Sequence, residues 1–81
     1  MRVTIRFFAS QREATGLSTY VADVPDNARA ADILASLYES FPKLKTAATS
    51  VAFALNREHV KPDAQVRDGD ELALLPPLAG G

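Results

Sequence analysis

Ala30-Ala31-Asp32-Ile33-Leu34-Ala35-Ser36-Leu37-Tyr38-Glu39-Ser40-Phe41 is the stretch that decides the architecture, because it alone reads as a long helix. Its apolar positions, Ala30, Ile33, Leu34, Leu37, Tyr38 and Phe41, recur every three to four residues and share one face. Asp26 or Asn27 can cap its start, and Pro42 stops it. An apolar helix face must be buried, and the flanking segments have to supply the surface that buries it.

Upstream, residues 2–8 alternate, with Val3, Ile5 and Phe7 on one side and Thr4, Arg6 and Phe8 on the other, the period of a half-buried strand. Ser10-Gln11-Arg12-Glu13 has the spacing of a capping box, and Gly16 can take the left-handed conformation that ends a short helical turn. Residues 18–24 alternate again through Tyr20, Ala22 and Val24 until Pro25 removes a ladder donor. These two strands form a widened hairpin.

Downstream, residues 43–49 are polar and read as a loop. Val51, Phe53 and Leu55 alternate with Ala52, Ala54 and Asn56, a third strand small enough on its second face to be buried on both. Asn56-Arg57 reads as a turn, residues 58–60 as a short strand or extended piece, Lys61-Pro62-Asp63 as a loop and Val66 as a core plug. Asp68-Gly69-Asp70 launches a last strand over residues 71–75, with Leu72 and Leu74 on one face and Leu75 on the other. The order strand, strand, helix, strand, short strand, strand is α+β, one sheet against one main helix. The strand order within that sheet does not follow from the pattern alone.

The chain has 81 residues, enough for one domain, and folding at this size buries roughly 60% of the extended surface. A large internal substrate cavity is not expected. Nine basic against ten acidic side chains leave a net charge of −1, which supports neither nucleic acid nor an anionic membrane as partner. No apolar run approaches the ~20 residues of a bilayer span, and no signal peptide is visible, so a cytoplasmic location is expected. The absence of cysteine removes disulfides, thiolate metal sites and cysteine nucleophiles together.

Catalytic constellations are equally sparse. His59 stands beside Glu58 with no serine, second histidine or metal-ligand spacing, and reads as a surface or interface histidine. Asp68, Asp70 and Glu71 lack the alternating oxygen ligands of a calcium loop, so no metal site is expected. The glycines form no phosphate-cradling loop, and the aromatics, apart from Phe8, fall on core faces. If the first and last strands are neighbours, Phe8 and Leu75 share the outer face of the sheet, the mark of a partner surface.

The chain closes with Pro76-Pro77-Leu78-Ala79-Gly80-Gly81. Residues 76–81 read as a flexible tail that, extended, reaches about 20 Å, with a closing glycine pair that fits a channel too narrow for side chains. A free α-carboxyl is ionised at neutral pH and is a poor electrophile, so it must be activated before it reacts. Adenylation would supply a leaving group, and a sulfur nucleophile could then leave a thiocarboxylate. That chemistry would give a cysteine-free protein a reactive sulfur.

Phe7-Phe8-Ala9, Arg12-Glu13, Gly16, Asn56, Asp68-Gly69-Asp70-Glu71-Leu72-Ala73, Pro76-Pro77 and Gly80-Gly81 together resemble the small subunit of molybdopterin synthase, a family of ubiquitin-like sulfur carriers. The resemblance covers essentially the whole chain and implies a β-grasp fold with a mixed sheet, residues 1–81 forming one domain. It implies that Gly81 carries first an adenylate and then a thiocarboxylate, and that Gly80, Ala79 and Leu78 enter a partner channel. Phe8, Leu75 and His59 would dock partners. ATP would be used by a separate activating enzyme, with no cofactor bound to this chain. The implied partners are the synthase large subunit, in a heterotetramer, a ubiquitin-activating-like adenylyltransferase and a sulfur donor protein. The sulfur would go to cyclic pyranopterin monophosphate, making this chain a cosubstrate rather than a catalyst. His59 stands about where the family can carry an apolar contact residue, and Arg29 where a Thr is common. A carrier for thiamine, cysteine or tRNA thiolation and a ubiquitin-like protein modifier are the alternatives the same tail allows.

Overall fold

A computed structural model describes residues 1–47 and 51–76. Its elements run β1 (Arg2–Arg6), α1 (Ser10–Thr15), β2 (Thr19–Asp23), α2 (Ala30–Ser40), α3 (Pro42–Ala47), β3 (Ala52–Leu55), β4 (Glu58–Val60) and β5 (Glu71–Leu75). The strands form one sheet in the order β2-β1-β5-β3-β4. The first and last strands lie side by side and parallel at its centre, with Ile5 opposite Leu72 and Arg6 opposite Ala73. The remaining neighbours are antiparallel, so the sheet is mixed. This is the β-grasp arrangement.

The alternation of each strand determines what lies on which face. Val3 and Ile5 of β1, Ala22 of β2, Phe53 of β3 and Leu72 and Leu74 of β5 are buried together with Ile33 and Leu37 of α2. Fully burying one such Leu or Ile side chain contributes about 1.5–3 kcal/mol, and Ile5, Ile33, Leu37, Leu72 and Leu74 are all under 2% exposed. Val66 plugs the same core from the loop before β5. Phe41 closes one end, meeting Phe7 edge-on at 5.9 Å and Tyr20 at 5.1 Å between ring centroids.

Three local expectations are corrected. The α1 start is not a serine capping box. Ala9 precedes the helix at φ 47°, and the Gln11 side chain instead accepts the Phe8 N–H at 3.2 Å. The other end behaves as expected: Gly16 caps it at φ 75°, in the left-handed region.

At α2, neither Asp26 nor Asn27 is the cap. Arg29 occupies that position, and the Asp32 carboxylate accepts its backbone N–H at 2.9 Å. The next two amides, Ala30 and Ala31, donate to the carbonyls of Ala64 and Pro62 at 3.0 and 2.8 Å. The loop thus satisfies the free N–H groups that a helix start always presents. The Arg29 guanidinium holds that loop by donating to the Asp63 carbonyl at 2.7 Å. Asp26 instead accepts from the Met1 ammonium at 3.1 Å.

The third correction concerns residues 43–49. Pro42 does end α2, but it also opens α3, because a first-turn proline sacrifices no helical hydrogen bond. Leu44, hidden among lysines in the sequence, is completely buried. The expected tail lies, beyond Pro76, outside the described residues.

Candidate functional site

Residues directed away from α2 form the second face of the sheet, and among the described residues no helix packs over its centre. Cross-strand register places Arg6, Ala73, Ala54 and His59 in one row across β1, β5, β3 and β4. Two residues further along β5 stands Leu75, opposite Ala52. Two residues back stands Glu71, opposite Thr4.

Together with Phe8 and Arg57, that row and its neighbours Glu71 and Leu75 line a shallow hollow of about 300 Å³. Its floor is made by Ala54 and Ala73, only 6% and 8% exposed, whose methyl groups leave the depression that larger residues would fill. Phe8, 36% exposed, and half-buried Leu75 form an apolar side. Arg57 and His59 form an exposed basic side. Arg6 approaches Glu71 at 3.7 Å across the sheet, a solvent-exposed pair that contributes little to stability.

A hydrogen-bonded frame anchors one edge of this hollow. Asn56 and Arg57 are the two central residues of the hairpin between β3 and β4, at φ 50° and 73°. Positive φ at both positions is the requirement of a type I′ hairpin turn. Asn56 donates from its side-chain nitrogen to Asp70 Oδ1 at 3.1 Å, and its side-chain oxygen accepts the Glu71 N–H at 3.0 Å. Asp70 in turn accepts the Arg67 N–H at 2.8 Å, while Asp68 accepts the Arg2 N–H at 2.7 Å. The acidic loop is therefore occupied in holding β5 against β1 and the hairpin.

Of the residues expected to dock partners, Phe8, Leu75 and His59 do come together around one hollow. Leu78, Ala79, Gly80 and Gly81 lie outside the described residues. Arg6, Arg57, Glu71 and the two alanines were not expected at a docking surface. Arg57 carried the one available signal, an arginine after asparagine in a two-residue turn where glycine is preferred. Among the described residues, no group of three or more His, Asp or Glu side chains is placed to hold a metal ion.

The strand order and the open second face define a small ubiquitin-like β-grasp protein with a shallow hollow on its outer sheet face. The chain belongs to the ThiS family, whose model matches residues 5–81. It is similar to the molybdopterin synthase sulfur carrier subunit of Chlamydomonas reinhardtii, with 36% identity over 83 residues and 100% of both chains covered. Among solved structures it is similar to small archaeal modifier protein 1 of Haloferax volcanii, with a TM-score of 0.85 and 27% identity, over 95% of this chain and 98% of that one. It is also similar to a chain in the complex of subunits 1 and 2 of molybdopterin-converting factor from Helicobacter pylori. That match has a TM-score of 0.68 and 27% identity, covering 100% of each chain.

Proposed function

We propose that this chain is the sulfur carrier subunit of molybdopterin synthase. The observation that carries the reading is the family match running through residue 81, so that it includes the closing Gly80-Gly81 pair. Full-length identity with molybdopterin synthase sulfur carrier subunits supports it.

In this reading an adenylyltransferase directs the Gly81 carboxylate onto the α-phosphorus of ATP, releasing pyrophosphate and leaving an acyl adenylate. A sulfur nucleophile delivered by a donor protein then attacks the carbonyl carbon, AMP departs, and a thiocarboxylate remains. The sulfur passes to cyclic pyranopterin monophosphate within the large subunit, with water returning the carboxylate. The chain itself supplies no acid or base. It supplies a docking face, the hollow between Phe8, Leu75 and His59, on the same strand that leads into Pro76 and the terminal residues. Leu78, Ala79 and Gly80 would occupy the partner's channel. The heterotetramer with the large subunit and a cytoplasmic location belong to the same reading. The Helicobacter pylori complex of two subunits supports a large-subunit partner, and among the described residues no helix is long and apolar enough to cross a membrane.

The test is intact mass spectrometry after incubation with ATP, the adenylating enzyme and a sulfur donor, followed by addition of the large subunit and pterin substrate. An oxygen-for-sulfur mass increase that is discharged on that addition is expected. No increase with active partner enzymes removes the reading. A second reading, a protein modifier joined through Gly81 to lysines, is favoured by the similarity to small archaeal modifier protein 1. Conjugates that survive thiol treatment would identify it.

A further inference from the structure

We infer that the large subunit seated on the open sheet face presents a carboxylate to Arg57 together with an apolar side chain to Phe8 and Leu75. This inference rests on the docking role proposed for that face. Its first support is the backbone of Arg57, held at φ 73° in the left-handed region that a side chain with a Cβ adopts at a cost. In a turn of this type glycine would relieve the strain, so the position keeps an arginine against local preference.

Charge is the second support. Arg6 is already engaged by Glu71. Among the described residues, the Arg57 guanidinium has no ion-pair or hydrogen-bond partner, although it lines the same hollow. His59 beside it adds no negative charge. The hollow therefore has one unanswered cation and two apolar side chains at its opposite end. Glu71, next to the hairpin, and Leu75 both line the hollow and stand four residues apart on β5, about 13 Å of strand. That distance suits a single folded surface better than a small anion, and a planar guanidinium favours a carboxylate that can take two hydrogen bonds. The complementary partner is thus a protein face with an acidic side chain beside an apolar knob.

The experiment measures binding of the large subunit of molybdopterin synthase to the full-length chain by calorimetry at low and high salt, together with thermal unfolding of each variant. Arg57→Gly is expected to raise the unfolding temperature while weakening binding about fivefold and flattening its salt dependence. Arg57→Lys is expected to retain most of that salt dependence. Phe8→Asp serves as the control for the face. If Phe8→Asp weakens binding and Arg57→Gly does not, the carboxylate inference is overturned and the docking face stands. If neither variant alters binding, the docking role itself fails and the inference falls with it.

Discussion

Asn56 and Glu71 are joined twice: the Asn56 N–H donates to the Glu71 carbonyl at 2.8 Å, and the Asn56 side-chain oxygen accepts the Glu71 N–H at 3.0 Å, while the Asn56 side-chain nitrogen donates to neighbouring Asp70 at 3.1 Å. Residues 15 positions apart are thereby locked where the β3–β4 hairpin meets the start of β5. Replacing Asn56 by Ala removes both side-chain bonds and the residue best suited to its φ of 50°. A loss of about 1–2 kcal/mol is expected, seen as a lower urea midpoint at unchanged m-value. An unaltered midpoint would show that water replaces this frame at no cost.

Phe8 and Leu75 lie on the face opposite the core, so charge introduced there should be tolerated by the fold. Phe8→Asp or Leu75→Asp is expected to weaken large-subunit binding by more than about 1 kcal/mol. Thermal unfolding of each variant should remain close to that of the parent. Equal affinity in titration calorimetry would return both residues to ordinary surface.

Leu72 is completely buried opposite Ile5 at the centre of the sheet. Leu72→Ala should cost about 2–5 kcal/mol through lost burial and the cavity left behind. That is a large part of what a domain of this size possesses, so loss of cooperative unfolding near room temperature is expected. Circular dichroism melts would detect it, and a change below about 1 kcal/mol would mean the site collapses around the smaller side chain.

Removing Gly81 deletes the residue on which the proposed sulfur-carrier chemistry depends. The core of the described residues ends at Leu74. The shortened chain is therefore expected to melt with the parent and to gain no sulfur in the mass assay. Retained sulfur loading would place the activated carbon elsewhere, and a large drop in melting temperature would assign the terminus a packing role.

Where period and punctuation are strong, the sequence was legible. Residues 71–75 and 58–60 appear as strands within the bounds read from the pattern, and Ala30, Ile33 and Leu37 are buried as their spacing requires. The start of α2 was misread because a side chain such as Asp26 looks like a cap only until tertiary structure offers the backbone a better partner. Here the carbonyls of Pro62 and Ala64, more than thirty residues away, take the amides of Ala30 and Ala31. The helix over Pro42–Ala47 was missed because a single buried Leu44 among polar residues carries no period.

Local physics thus determined the strands, the main helix and the apolar face of each, and the closing Gly80-Gly81 pair pointed to a function only through the family resemblance. The closing of β1 against β5 was decided only in three dimensions, because strand pairing depends on contacts between segments some 67 residues apart, Thr4 with Glu71, which no window of sequence contains. From that pairing follow the hollow, its alanine floor and the meeting of Phe8, Leu75, His59 and Arg57 around it. Side chains from four separate strands and turns converge there because sheet register, a property of the whole fold, sets which of them share a face.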